Sequence, residues 1–293
     1  MNLNEHIECF KTNYTGLDPS LFGRLQFWAD ALGNHELTDI NADMIDGELR
    51  RLIERGAIHN RRGAGVVVTG KPLSGATINR YRAALASVIK HSKQKRLVRL
   101  AWQSPVRDVP AEQESAGRLE YLTIDQVEAL VLHARAANWK KLPALILMAF
   151  TTGLRRGALE GLRWRDISFI DGTATIARVK NGEPHVASLT PRLLAELRKF
   201  ESKDSNELVF SGTKGTNHPH NFRVCFQRAL EAAELPIVTF HALRHSTASH
   251  LAKAGVPLLQ IADVMSHKSI SMTKRYSHLC IKDRANVIAT HFG

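Results

Sequence analysis

Residues 239–251 read TFHALRHSTASHL, and the organisation of the chain is built outward from this stretch. His241 and Arg244 stand three apart, which places both on one face of a helix. Thr239 is read as the cap, so both side chains project from near a helix N-terminus that already favours an anion. Three other stretches carry groups suited to phosphate chemistry. Upstream, TGLR at residues 152–155 breaks a helix at a glycine and presents Arg155, whose planar guanidinium can grip two phosphate oxygens at once. Lys180 opens a Lys-Asn-Gly turn, and downstream Met265, Ser266 and His267 are followed nine residues later by Tyr276 in MTKRYSH.

Composition agrees with a polyanionic partner. The chain has 293 residues and 44% hydrophobic content, enough for two ordinary domains, and its 40 Lys+Arg against 28 Asp+Glu leave a formal charge of +12. The charge is unevenly placed: residues 1–54 hold four basic and ten acidic side chains, whereas residues 55–107 hold twelve basic and no acidic ones. That asymmetry reads as a binding surface, with nucleic acid the first candidate partner. Cys9, Cys225 and Cys280 have neither disulfide nor metal spacing, so no metal or cofactor is expected and a reducing cytoplasm fits. The N-terminus lacks a leader pattern, and the longest apolar run, residues 142–150, is too short to span a bilayer, so no membrane association is expected.

Helical spacing predicts a helix from Ser20 to Gly33, a second from about Ala42 to Arg55, and a third opened by Ser74 with Tyr81, Leu85, Val88 and Ile89 facing inward. Residues 61–70, RRGAGVVVTG, read as a basic glycine-containing loop. Arg61 and Arg62 there, with Arg80, Arg82, Lys90, Lys93, Lys95 and Arg96 around the third helix, are the candidate DNA-backbone contacts; at 3.6 residues per turn they cannot all share a face. The stretch PVRDVPAEQESAGRL, residues 105–119, lacks periodicity and marks a linker, beginning at about 104. The expected domains are therefore a helical DNA-binding domain, residues 1–117, and a second domain, residues 118–293. In the latter, Thr123 and Gln126 fit a capping box, residues 142–150 fit a buried helix, and residues 167–189 fit a three-stranded meander with turns at Asp171-Gly172 and Lys180-Asn181-Gly182. Pro191 starts a helix, and the remainder reads as mostly helical. The fold class is mainly α with a small antiparallel sheet (α+β).

The ordered set TGLR, a hairpin lysine, HALRH, an MSH triplet and a tyrosine resembles the tyrosine recombinase (phage integrase) family, over about residues 74–280. The resemblance implies a catalytic domain that cleaves and rejoins DNA through a 3′-phosphotyrosyl link. It makes Tyr276 the nucleophile, assigns Arg155 and Arg244 to the non-bridging oxygens of the scissile phosphate, Lys180 to protonation of the leaving 5′ oxygen, His241 to proton handling, and His267 to a hydrogen bond with the phosphate. The chemistry is coherent without the family. Attack on a phosphodiester builds charge on oxygens that two arginines and a histidine stabilise, and a phenol of pKa about 10 needs help to lose its proton, which His241 is read as supplying. The resemblance further implies double-stranded DNA as the partner, a homotetramer on two DNA sites, accessory DNA-bending proteins as further partners, and cytoplasmic location on the nucleoid.

Singly, each residue also fits an ordinary role: Arg155 or Arg244 in a buried ion pair, His241 as a helix cap, Lys180 in a solvated turn, Tyr276 as a core aromatic. Two other functions stay open on sequence: strand relaxation like that of a type IB topoisomerase, and a non-cleaving DNA-binding accessory protein. Two departures from the family pattern bear on the last. Ala158 stands where many members have an acid, leaving Glu160 as a differently facing substitute, and Ser266 stands where many have glycine, at a turn that glycine makes freely. The tail beyond Tyr276 places Ala285, Val287, Ile288 and Phe292 on one helical face, which the resemblance would dock on a neighbouring subunit. The segment before Ser20 is read as too short for a separate domain.

Overall fold

The computed structural model describes all residues except 62–64, 116–119, 178–183, 213–214, 268, 281–288, 291 and 293, with the backbone alone for 59–61, 65–68 and 280. The chain divides into two compact units, Met1–Gly117 and Arg118–Gly293. The architecture is mainly helical, with small antiparallel sheets.

The first unit contains α1 (Leu3–Thr12), α2 (Ser20–Leu32), α3 (Ala42–Arg55), the hairpin β1 (Ile58–Arg61) and β2 (Gly65–Val68), and α4 (Gly75–Gln94). Helix α1 had no counterpart in the sequence reading, although Asn2 and Glu5 close a reciprocal capping box at its start. Trp28 of α2 is fully buried, and its indole N–H donates to the Tyr81 carbonyl of α4 at 2.8 Å. Leu85, Val88 and Ile89 are buried beside it, while Tyr81 is half-buried with its ring edge-on to Phe27. Two expectations are corrected. The basic loop at 61–70 is largely the β1–β2 hairpin, in register Ile58↔Val68, as the β-branched run Val66–Val68 favours. The linker from about 104 is packed at its start: Pro105–Arg107 form a 3-10 turn and Val106 and Val109 enter the core. Asn79 of α4 then exchanges two hydrogen bonds of 2.9 Å with the Glu112 backbone. Side chains inserted one at a time from a 3-10 turn leave no helical or strand period to read.

The second unit contains α5 (Ile124–Ala134), α6 (Leu142–Thr152), α7 (Arg156–Gly161), the meander β3 (Ile167–Ser168), β4 (Thr173–Ile176) and β5 (His185–Ser188), α8 (Pro191–Arg198), the pair β6 (Ser211–Gly212) and β7 (Gly215–Pro219), and helices α9 (Arg223–Ala232), α10 (His241–Lys253) and α11 (Leu258–Val264). Two 3-10 helices follow, Ile270–Met272 and Lys274–Cys280. Helix α6 is apolar on nearly every side because α5, α8 and α10 all pack on it. The β6–β7 pair falls in a stretch read as mostly helical. Thr239 does not cap α10: Phe240 occupies that position without a side-chain bond, and Thr239 contributes only its carbonyl, to the Ala242 amide at 2.9 Å. Packing of the Phe240 ring on Phe222 and Phe226, at 4.6 and 5.3 Å, sets the entry of the chain instead.

Candidate active site

Arg244 lies in the first turn of α10 and is 4% exposed. Its guanidinium donates to the Gly153 carbonyl and, at 2.5 Å, to the Met265 carbonyl. Gly153 ends α6 in the left-handed conformation, φ +63°, and a Cβ there would meet Met265 Sδ at 2.5 Å, so only glycine brings this carbonyl to Arg244. The Thr247 hydroxyl donates to the Phe150 carbonyl at 2.6 Å and ties α10 to the same helix end. Arg155, half-buried at the extended N-cap position of α7, donates to the Ser266 carbonyl at 3.1 Å.

The carbonyls of consecutive residues thus anchor both arginines, and the geometry of α11's end explains how. The Ser266 amide bonds the Asp263 carbonyl at 2.8 Å and the His267 amide bonds the Ala262 carbonyl at 2.9 Å, which is a Schellman closure. Its left-handed seat, φ +47°, is taken by Ser266 rather than glycine. Glu160, considered as a substitute for the acid absent at Ala158, pairs instead with Arg156 at 2.6 Å. Among the described residues neither Arg155 nor Arg244 has a carboxylate partner. Burial, and for Arg244 also the Arg155 charge, lowers both pKa values, that of Arg244 to about 10, yet both guanidiniums stay charged at neutral pH. Two desolvated cations answered only by carbonyl dipoles make a site that favours an anion.

Three histidines and a tyrosine complete the cavity. His267 Nδ1 lies 2.7 Å from the hydroxyl of fully buried Thr273, and burial followed by Arg244 and Arg155 pushes its pKa down to about 4. His241, exposed at the start of α10, is lowered by burial of part of its ring and by Arg244 and Arg155. His245, one turn further on, sets its ring perpendicular to that of His241 at 4.8 Å and its Nδ1 2.6 Å from the Tyr276 hydroxyl. Tyr276, on the second 3-10 helix, is 1% exposed and packs with Ala248, Ala252, Ile261 and Met265. Burial raises its pKa, opposed by Arg275 and Arg244. Arg155, His241, Arg244, His267 and Tyr276 all line one cavity of about 330 Å³, joined there by His245 and Arg275.

Lys180 lies outside the described residues. The strand after it begins at His185, close enough to Arg244 for that charge, after burial, to help lower its pKa. Of the candidate DNA contacts, Arg62 is also outside, and only the backbone of Arg61, ending β1, is described. Arg80 and Lys90 are exposed on α4, and Lys95 and Arg96 at its end. Arg82 and Lys93, eleven residues or three turns apart, face their own unit: Arg82 donates to the Val109 carbonyl at 2.8 Å, and Lys93 to the Leu100 carbonyl at 3.4 Å beside the Trp102 ring. Each of these bonds takes one donor of a half-buried side chain that has several. His245 and Arg275 were missed in the sequence. The signal for His245 was its four-residue spacing from His241, inside the stretch already singled out; Arg275 was visible only as the neighbour of Tyr276.

Comparison with known proteins agrees with this geometry. Over 216 residues the chain is 28% identical to the shufflon-specific DNA recombinase of Escherichia coli, covering 72% of this chain but only about half, 53%, of that protein. It is 24% identical over 268 residues to the tyrosine recombinase XerC of Xanthomonas campestris pv. campestris, covering 89% and 76% of the two chains. In fold it is similar to the Tn1549 transposon integrase in complex with transposon right end DNA, with a TM-score of 0.71, 17% identity, and coverage of 99% and 100%. It is also similar to a lambda integrase dimer bound to a COC′ core site, with a TM-score of 0.70, 20% identity, and coverage of 94% and 95%. Residues 120–282, more than half of the chain and the whole of the described cavity, match the phage integrase family. The chain belongs to that family, the tyrosine recombinases that cut and rejoin DNA at specific sites.

Proposed function

We propose that this chain carries out site-specific recombination by attack of Tyr276 on a DNA backbone phosphate, leaving a 3′-phosphotyrosine link that a 5′ hydroxyl of another strand resolves. The observation that carries this reading is the convergence of one buried guanidinium, Arg244, one half-buried guanidinium, Arg155, neither with a carboxylate partner among the described residues, and one buried phenol on a single cavity. Arg155 and Arg244 take the non-bridging oxygens, where charge builds as the phosphorus becomes five-coordinate, and His241 and His267, neutral at pH 7, donate hydrogen bonds to the same group. Lys180 protonates the leaving 5′ oxygen. The link conserves the energy of the phosphodiester, so rejoining needs no nucleotide.

Residues 1–117 form the DNA-binding domain, with Arg80, Lys90, Lys95 and Arg96 on phosphates, and residues 118–293 the catalytic domain. Four copies assemble on two sites, with the tail beyond Tyr276 docking between subunits; Ala285, Val287 and Ile288 of that tail lie outside the described residues. The DNA complexes of the Tn1549 and lambda integrases support DNA as the partner, and action on the nucleoid follows from it. No helix among the described residues is long and apolar enough to cross a membrane. The test is Tyr276→Phe. The variant is expected to bind DNA like the parent and to form no covalent adduct on a denaturing gel, and an adduct surviving the change overturns the assignment.

A further inference from the structure

The resemblance assigns proton handling to His241, yet the imidazole in contact with the nucleophile is a different one. His245 Nδ1 is 2.6 Å from the Tyr276 oxygen, whereas the described contact of the His241 ring is with the His245 ring, at 4.8 Å. The direction of the bond follows from the charges around it. Burial, then His241, Arg275 and Arg244, hold the His245 pKa down at about 4, so at neutral pH the imidazole is uncharged and has one nitrogen free to accept. The phenol, its pKa raised by burial, still carries its proton. The hydroxyl therefore donates to Nδ1, and the remaining ring N–H sits on Nε2.

We propose that His245, rather than His241, orients the Tyr276 hydroxyl and receives its proton during cleavage. This role rests on the recombinase reading above. As the Tyr276 oxygen forms its bond to phosphorus, the phenolic proton passes to Nδ1 and makes an imidazolium. The bond from phosphorus to the 5′ oxygen breaks, and that oxygen takes a proton from the general acid of the recombinase reading, Lys180. Rejoining reverses each transfer: the incoming 5′ hydroxyl returns its proton to that acid, and the departing Tyr276 oxygen takes the proton from His245. Arg244 and Arg275, which keep the imidazole from charging, line the cavity that an anionic phosphate would fill. A bound phosphate offsets those charges, so His245 becomes a competent acceptor once DNA is in place.

The experiment uses the full chain and a nicked duplex recovered from a randomised pool by covalent trapping on the parent protein. The duplex is made in two forms, one with the ordinary 5′ oxygen and one with a bridging sulfur, which leaves without needing a proton. His245→Phe keeps the ring volume and removes the acceptor. Covalent-complex formation should fall at least about a hundredfold on both forms, with duplex affinity within about threefold of the parent. His245→Asn, whose amide oxygen reaches the place of Nδ1, should recover about tenfold by restoring orientation without proton uptake, and its rate should lack the rise with pH expected of the parent. Near-parental cleavage by His245→Phe, or rescue of its defect by sulfur, overturns the role. Should the Phe variant fail to bind the duplex, a parental rate and pH profile in His245→Asn overturns it equally. Failure of the parent to trap any duplex refutes the recombinase reading itself.

Discussion

Replacing Arg244 by methionine separates what this residue does for the fold from what it does for chemistry. Holding the guanidinium charged at 4% exposure, its pKa brought from 12.5 to about 10 by burial first and Arg155 second, costs about 3 kcal/mol. Methionine has similar length, fills irregular space and removes that cost. Against this, the Gly153 and Met265 carbonyls lose charge-assisted hydrogen bonds contributing about 1.5–3 kcal/mol each. The net loss is about 0–3 kcal/mol, a fall in Tm of roughly 0–10 °C for a domain of this size. Catalysis has no such compensation, because the charge acts on the transition state alone; cleavage should fall about 10²–10³-fold. Calorimetry of the Arg244→Met chain, together with its rate of covalent-complex formation on a trapped duplex, checks both numbers. A cleavage rate within tenfold of the parent, or a chain that no longer folds, would refute the reasoning.

Ser266→Gly should stabilise the second unit by about 0.5–1 kcal/mol, since glycine adopts the positive φ at the end of α11 without the steric cost that serine bears there. A lowered melting temperature would show that the turn is held by something other than its backbone geometry. Stability should also fall on acidification. His245 and His267 have folded pKa values of about 4 against an ordinary 6.5, so the unfolded chain binds their protons first. Their contribution is whole above about pH 6.5 and is lost as pH falls towards 4. Urea titrations across that window should show a shallower decline in His245→Phe than in the parent, and equal slopes would count against the buried neutral histidine.

Much of the fold was legible where the signal is local. Thr123 with Gln126, Ser74 before α4 and Gly153 after α6 each mark a helix end through a bond or a backbone angle that a few neighbouring residues determine. What escaped depends on distant partners. Thr239 looked like a cap, but the tilted and edge-on packing of Phe240 on Phe222 and Phe226 sets where α10 begins. At Arg82 and Lys93 the charge is visible in sequence, whereas the Val109 and Leu100 carbonyls that each also bonds are not. The apolar insertions at Val106 and Val109 were hidden in a stretch with linker composition. At the cavity, the order of motifs pointed to Arg155, His241, Arg244, His267 and Tyr276 as a set. Which imidazole meets the phenol depends on how a 3-10 helix lies against α10, and no spacing encodes that.

The turn at the end of α11 also bears on the chain while it is being made. Met265 and Ser266 supply the carbonyls that seat the two guanidiniums, and Tyr276 follows them. A nascent chain complete up to Leu258 already has Arg155, Arg244, His245 and the Gly153 carbonyl, but it lacks the Met265 and Ser266 carbonyls and the phenol of Tyr276. On the recombinase reading, such a chain can meet DNA without cutting it until residues 265–276 have been added.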